Sequence, residues 1–327
     1  MNIGLLGLKH FHVWNYAQAF KSMADCNIGC AYDSDSRLLD KAQEHTGARI
    51  YQDLQTLLRK EEPGIAVVCS SNASHAEITV QAAAAGWHIL CEKPMATSLD
   101  DCYQMKQACV EAGVCFGLAL PMRHSGPIKK AQAFISSGLI GNPVLVKTTN
   151  RGKLPMGWFL DKTEAGGGAI VDHTIHTLDI MRWLVQSEVE RVYAVGGNLL
   201  HKLEVEDVGL IQVLFRNGVV GTIDASWSRP RSFPTWGDVT LEITGDTGYV
   251  YVDSFAQSFL VYSDSELQPG STTYWGVDPN NVMIGDFVDA VKERRPFAVG
   301  ADDGIRAFEV TQAAYQSLAS GRPVDLV

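Results

Sequence analysis

Asn2-Ile3-Gly4-Leu5-Leu6-Gly7-Leu8-Lys9-His10-Phe11-His12 opens the chain, and its reading decides the fold. An apolar run closes on a glycine and gives way to helical spacing, the order of a strand, a tight turn and a helix. The same alternation recurs through residues 1–120. Strands are expected at Asn2–Leu8, Asn27–Asp33, Ile65–Cys69, Trp87–Cys91 and Val114–Leu118, with a weaker one at Ala48–Tyr51. Helical patterns fall at about 10–24, 36–46, 53–60, 74–86 and 98–112. Strand–helix alternation of this kind predicts an α/β unit, a doubly wound parallel sheet with helices on both faces. Ligands of such sheets bind beyond the carboxyl ends of the strands, so the chemistry is sought there.

The first strand end is the glycine turn itself. A strict dinucleotide fingerprint, G-x-G-x-x-G from Gly7, needs glycine at positions 9 and 12, where this chain has Lys9 and His12. Gly7 can still form the tight turn, with Leu8 following it, and the next helix N-terminus can offer its amides to a pyrophosphate. Lys9 either adds positive charge near the phosphates or is a solvated loop lysine. The second strand ends at Asp33, placed to accept hydrogen bonds from adenosine ribose hydroxyls and to repel a 2′-phosphate. That favours NAD over NADP; the alternative is that Asp33 only caps the next helix. The fourth strand runs into Ser70-Ser71-Asn72-Ala73-Ser74-His75, and the fifth into Glu92-Lys93-Pro94. Lys93, at the end of a buried strand, can reach a ligand while its stem stays packed; Glu92 could instead pair with it.

After Pro121 the pattern changes. A helix at about 127–137 and a turn at Gly138–Pro143 lead into a strand at Val144–Asn150. A loop with Trp158 and Phe159 precedes Gly166-Gly167-Gly168, which feeds a helix at about 168–185. On it Asp172, His176 and Asp179 stand at i, i+4 and i+7 and share a face. A carboxylate and an imidazole opening a largely apolar helix are either used in chemistry or are a buried pair satisfying itself. Strand-like runs follow at 191–197, 207–215, 218–228, 237–245, 248–253 and 258–262, with Arg216-Asn217-Gly218 as a hairpin turn. Helices at about 281–294 and 303–320 close an α+β domain built on a large, mostly antiparallel sheet. The expected division is therefore 1–120 and 121–327.

His173-x-x-His176-x-x-Asp179 has helical metal-ligand spacing, but no cysteine or glutamate supplements it, and no metal is expected. His10 and His12 read as loop residues. Of Trp158, Trp227, Trp236, Tyr274 and Trp275, most belong to core or interface. Trp158 is placed near the substrate because its loop immediately precedes the glycine turn.

The chain has 327 residues, 46% of them hydrophobic and 20% charged, an ordinary globular composition long enough for two domains. A net charge of −10 argues against nucleic acid or an anionic membrane as partner. No apolar run approaches about 20 residues, so no membrane span is expected, and no signal peptide is visible. Seven cysteines, Cys26, Cys30, Cys69, Cys91, Cys102, Cys109 and Cys115, lie in the first third without C-x-x-C spacing. They read as reduced core residues, and a cytoplasmic location is expected.

An ordered set of short motifs, Ser71–His75, Glu92-Lys93-Pro94, Ser137–Pro143, Gly166 to His176 and Ser317–Val324, resembles the Gfo/Idh/MocA oxidoreductases across nearly the whole chain. That group contains glucose–fructose oxidoreductase and the inositol dehydrogenases. The resemblance implies a Rossmann-type first domain and a second whose sheet leaves one face open, across which subunits pair as dimers or tetramers. It implies Lys93 against the substrate hydroxyl and the nicotinamide, with Asp172 and His176 as acid/base pair. Asn72, His75 and Glu92 would line the cofactor groove, and Arg123 would lie near the nicotinamide end. Lys9 and His12 depart from the family's glycines. The expected activity is NAD-dependent hydride transfer from a carbinol of a sugar, cyclitol or related polyol, His176 taking the hydroxyl proton. An NAD-using glycosidase or eliminase and a non-catalytic sugar or nucleotide sensor are the alternatives.

Overall fold

The computed structural model describes residues 1–256, 258–261, 271–274 and 276–326. Trp275, the side chain of Tyr274 and the end of the strand expected at 258–262 lie outside the described residues. The chain begins with β1 (Asn2–Leu6), α1 (His12–Lys21), β2 (Asn27–Tyr32), α2 (Ser36–Thr46), β3 (Arg49–Tyr51) and α3 (Leu54–Lys60). Next come β4 (Ile65–Val68), α4 (His75–Ala84), β5 (His88–Cys91), α5 (Leu99–Ala112) and β6 (Phe116–Leu118). They are followed by α6 (Gly126–Ser136), β7 (Pro143–Lys153), the one-turn helix α7 (Lys162–Ala165) and α8 (Ala169–Val185). The strands β8 (Val189–Gly197), β9 (Val208–Phe215), β10 (Val220–Arg229), β11 (Gly237–Gly245) and β12 (Tyr249–Asp253) succeed them. Last are β13 (Ser258–Val261), β14 (Ser271–Tyr274), α9 (Pro279–Glu293), α10 (Ala301–Ser320) and β15 (Val324–Asp325).

The first compact unit comprises Met1–Pro121, Asp161–Gly166 and Asn280–Phe308. Its sheet has the order β3-β2-β1-β4-β5-β6 with every pairing parallel. Ile65, Ala66, Val67 and Val68 of β4 are all fully buried, the unbroken apolar run of a strand covered on both faces. The order reverses between β1 and β4, which puts the ligand crevice at their carboxyl ends. The expected strands run a little long. β6 begins at Phe116, not Val114, because Cys115 N–H donates to His88 Nδ1 (3.0 Å) and Val114 N–H to Cys109 O (3.1 Å) instead of joining the ladder.

A cut at 120/121 leaves out two later segments that pack in this unit. Residues 280–308 return because the ring of Phe297 meets Phe287 edge-on (centroids 5.2 Å apart) while Leu118 N–H donates to Val299 O (3.0 Å). Periodicity read along the chain does not reveal such a return.

The second unit comprises Met122–Leu160, Gly167–Pro279 and Glu309–Val327. Its seven-stranded sheet has the order β12-β11-β7-β10-β9-β8-β15, antiparallel except where β7 and β10 run parallel. α8 packs against this sheet, and of its 17 residues only His176 and Trp183 are not buried. That explains an apolar sequence almost all round the helix. On the opposite face β9 turns Leu210 and Gln212 to solvent while Gly209, Ile211 and Val213 are buried. The Asn217-Gly218 turn joins β9 to β10 as expected.

All seven cysteines are free, and burial pushes the thiols of Cys30, Cys102 and Cys109 up to about 12. Among the described residues no helix is long and apolar enough to cross a membrane.

Candidate active site

In the first unit a cavity of about 420 Å3 is lined by Gly7, Lys9, Asp33, Ser70, Ser74 and Glu77, among others. Gly7 has φ +83°, and a Cβ there would lie 2.6 Å from Ser70 Cβ and 2.7 Å from Ser70 N. Glycine is required twice over, for the backbone conformation and for the approach of two strand ends. The turn aims Leu8 N–H at Asp33 Oδ2 (2.7 Å), while Asp33 Oδ1 accepts from Asp35 N–H (2.9 Å). Asp35, not Asp33, caps α2 by accepting Arg37 N–H (2.9 Å). Asp33 therefore lines the cavity without serving as the cap.

The histidines of this loop, His10 and the His12 that stands where the fingerprint has glycine, have structural partners. His12 N–H donates to His10 Nδ1 (3.2 Å) and Val13 N–H to His10 O (3.1 Å), so the opening amides of α1 are held by His10. Lys9 Nζ lies 3.1 Å from Glu164 Oε2, each side chain more than a third exposed. Asn72 Nδ2 donates to Ala165 O (2.8 Å), so two residues of the cavity region hold the α7 segment. Ser70 Oγ donates to Ser71 O (2.9 Å). His75 is fully buried, and its Nδ1 donates to Pro94 O (2.9 Å). Desolvation keeps its pKa low, and the neutral ring braces the turn after Lys93.

Glu92 is 1% exposed and fully engaged. Its Oε2 accepts from Tyr16 O–H (2.7 Å) and lies 3.2 Å from His12 Nδ1, and its Oε1 accepts Lys93 N–H (3.1 Å). Burial alone would raise its pKa, but His10, His12 and Lys93 outweigh it and hold the carboxyl well below the usual range. Ligand-type atoms of His10, His12 and Glu92 lie within 4.8 Å of one another, close enough for a divalent ion to bridge. Their lone pairs are already committed, however: His10 Nδ1 to the His12 amide, Glu92 Oε2 to Tyr16. Lys93 is 4% exposed, its stem packed at the end of β5.

In the second unit the chain enters α8 through Gly168, where a Cβ would lie 2.0 Å from Glu206 O. Glu206 Oε1 accepts Gly168 N–H (2.9 Å), Ile170 N–H (3.0 Å) and Tyr315 O–H (2.7 Å). It is the anionic cap of the helix, with burial pushing its pKa up. Glu206→Ala is expected to lower stability by about 2–4 kcal/mol, since it removes a cap and orphans a half-buried phenol. Thermal unfolding reads this directly.

Further along α8, Asp172 Oδ2 accepts the Trp227 indole N–H (3.1 Å) and lies 3.1 Å from His173 Nε2. His176, one turn on, is half-buried. Asp179 is clamped by Arg123, Nε to Oδ2 at 2.7 Å and Nη2 to Oδ1 at 2.5 Å, with the guanidinium 5.9 Å over Trp183. The helical His–His–Asp metal set is thereby divided: Asp179 serves Arg123, and His173 Nδ1 serves Asn150 O (2.7 Å). Trp158 stacks on Phe159 with centroids 4.1 Å apart and is half-buried.

The first 120 residues match the model of the oxidoreductase family with an NAD-binding Rossmann fold, and residues 128–251 match the GFO/IDH/MocA C-terminal domain. The chain belongs to the Gfo/Idh/MocA oxidoreductase family. Membership makes it an oxidoreductase of the dehydrogenase type with an NAD-binding Rossmann fold. Among relatives, myo-inositol 2-dehydrogenase of Thermotoga maritima is 28% identical over 336 aligned positions, covering 100% of this chain and 98% of that protein. Inositol 2-dehydrogenase of Rubrobacter xylanophilus is 27% identical, covering 89% and 83%. The crystal structure of GenD2 from gentamicin A biosynthesis, in complex with NAD, superposes with a TM-score of 0.92 at 26% identity, covering 100% and 96%.

Each unit gathers part of the expected set. Gly7, Lys9, Asp33 and Ser70 line one cavity; Glu92 and His12 share a hydrogen bond; Asp172 and His176 lie on one helix. Sequence reasoning did not find Glu206 and Tyr315, the cap of α8, or Glu164, the partner of Lys9. A glutamate reaching a helix start 38 positions earlier in the chain leaves no local signal. Trp227, read as core or interface, is buried in a core cluster, and its indole N–H also holds Asp172.

Proposed function

We propose that the protein is an NAD-dependent dehydrogenase that removes a hydride from a carbinol of a sugar, cyclitol or related polyol. One observation carries the reading: a half-exposed imidazole, His176, one turn from a carboxyl held by Trp227, on a helix otherwise almost wholly buried. In the oxidative direction His176 takes the hydroxyl proton as the hydride leaves. Asp172 orients the alcohol, and Lys93, just past the end of β5, is the lysine that the family resemblance assigns to the substrate hydroxyl and the nicotinamide. The Arg123–Asp179 clamp steadies the helix at its next turn, and Trp158 supplies an apolar wall for a sugar ring. When bound, NAD supplies the hydride acceptor. The fit of the first unit to a dinucleotide rests on the Gly7–Ser70 approach, which a Cβ would fill, and on Asp33 beside it.

The charged groups lining that cavity besides Lys9 are Asp33, Asp53 and Glu77, an acidic set that repels a 2′-phosphate. NAD is therefore the cofactor of this reading. Asp33→Asn keeps one acceptor oxygen but removes the charge, so the preference for NAD over NADP should narrow about tenfold, some 1.4 kcal/mol. Ratios of kcat/KM for the two cofactors read it. Leu145, Leu210, Val220 and Tyr251 are exposed, and the open face of the β7–β10 sheet supports a homodimer or homotetramer. A panel of inositols, aldoses and polyols with NAD, followed at the NADH absorbance, tests the activity itself. Absence of NADH formation with every member, together with NAD that binds and is not reduced, would overturn it.

A further inference from the structure

The dinucleotide cavity has two chemically different ends. Gly7 and Ser70, just past the carboxyl ends of β1 and β4, form one, with Asp33 beside them. The other lies between α3 and α4, where Leu54, Gln55, Ile78 and Gln81 line it. Ser74, Glu77, Ile78 and Gln81 stand at i, i+3, i+4 and i+7, so a single face of α4 follows the cavity. From Ser74 to Gln81 that face rises about 10 Å. A dinucleotide laid with its pyrophosphate at Gly7 and its adenosine ribose at Asp33 brings its base to the Gln81 end. There the buried side chains of Leu54 and Ile78 offer an apolar edge to a purine.

At this end the Gln81 amide has a fixed direction. Its Nε2 donates to Glu77 Oε1 (3.2 Å), one turn back on α4. Its Oε1 accepts Gln55 Nε2–H (2.6 Å) from α3. A glutamine amide can in general be turned over, exchanging oxygen and nitrogen. Here the exchange would set Gln81 Oε1 against Glu77, and a carboxylate only accepts. Gln55 could turn with Gln81; Glu77 cannot. Asp53, the other carboxylate at this end, is committed to the start of α3, where it accepts Thr56 N–H (2.8 Å).

We infer that Gln81, oriented by Glu77, reads the base of the dinucleotide and selects a 6-aminopurine over a 6-oxopurine. The inference rests on the reading of this cavity as the cofactor site. The amine of adenine donates, so it can join the Gln55 N–H on the second lone pair of Gln81 Oε1. The neighbouring N7 can accept the second hydrogen of Gln81 Nε2, which completes a bidentate glutamine–adenine contact. Hypoxanthine carries an oxygen in place of the amine, and two acceptors then face each other. Turning the amide to relieve that contact brings Gln81 Oε1 against Glu77. Either arrangement leaves one oxygen opposed to another.

Two pairs of ligands that differ in the base alone test the inference. They are NAD against nicotinamide hypoxanthine dinucleotide, and ADP against inosine diphosphate. Within each pair the phosphates and riboses are the same, so their charge cancels in the ratio of affinities. In calorimetric titrations the parent should bind the adenine member about 10-fold more tightly in both pairs. That is the lower part of the range for a bidentate contact, as suits a half-buried glutamine. Gln81→Leu keeps a strong helix former in α4 and should bring both ratios within about twofold. Glu77→Gln lets the Gln81 amide turn, so both ratios should fall to about threefold.

A parent ratio within twofold, or one that Gln81→Leu leaves unchanged, overturns the inference. A ratio that survives Glu77→Gln in full overturns the orienting role of Glu77. If neither NAD nor ADP binds, the cofactor reading of the cavity fails and the base contact fails with it. If the ratios hold while no polyol is oxidised, only the dehydrogenase reading is lost.

Discussion

His176→Ala should lower kcat by roughly 10² to 10⁴, the range lost when a positioned proton acceptor is removed. The affinity for NADH should stay within about twofold, because the dinucleotide cavity is lined by Gly7, Asp33, Ser70 and their neighbours, residues of the other unit. The fold should tolerate the change. His176 is one of only two α8 residues not buried, and alanine has the higher helix propensity, worth about half a kcal/mol in favour of the variant. A lower kcat with an intact melting curve and intact NADH binding is thus the expected signature. The limb of the pH–rate profile due to imidazole should vanish with it, while hydride transfer from polyols continues slowly at high pH, where hydroxide or solvent takes the proton. Equal losses in turnover and NADH affinity would mean that the histidine supports the structure of the site rather than the proton transfer. A steady-state comparison with a fluorescence titration of NADH separates the two.

The sequence revealed most where a property repeats locally. Buried parallel strands announce themselves as unbroken apolar runs, so a doubly covered parallel sheet could be expected from Ile65–Val68 and its equivalents. The Asp172–His176 face followed from helical periodicity alone. Asp33 offered two readings from sequence, and only the coordinates give the capping duty to Asp35.

What stayed hidden depends on pairs distant in sequence. Arg123 was read toward the nicotinamide by resemblance, yet its guanidinium is gripped in bidentate fashion by Asp179, 56 positions on. His75 was read as lining the cofactor groove, and its ring is buried against Pro94 O. In both cases the partner the structure shows depends on packing that no short window of sequence contains. The loop histidines show a third kind of difficulty. The missing glycines at positions 9 and 12 read as a loss, whereas His10 and His12 supply hydrogen bonds of their own, to the start of α1 and to Glu92.

Gly7→Ala should abolish useful NAD binding, raising Kd by 100-fold or more, some 2.7 kcal/mol. Two separate penalties act at this position. A φ of +83° places an alanine in the left-handed region at about 1–2 kcal/mol. The new methyl would also lie 2.6–2.8 Å from Ser70 Cβ, N and Cα, and two of those atoms are backbone that no rotamer change can move. The chain after β1 must therefore shift, and with it the Leu8 N–H that Asp33 holds at 2.7 Å. A stability loss of about 2–4 kcal/mol should accompany the loss of binding. In a unit of this size each kcal/mol corresponds to about 2–4 °C in Tm. Ser70→Gly introduced with Gly7→Ala removes only the side-chain part of the clash, so it should recover less than half of the affinity. Lys9→Gly in the same loop is the control. It breaks an exposed ion pair with Glu164 worth no more than about 1 kcal/mol and brings the loop nearer the glycine pattern, so NAD should bind within a few-fold of the parent. Calorimetric titration of NAD across the three variants decides the matter: a Gly7→Ala protein that binds within threefold of the parent would show that the approach of β1 and β4 is not what shapes the cofactor site.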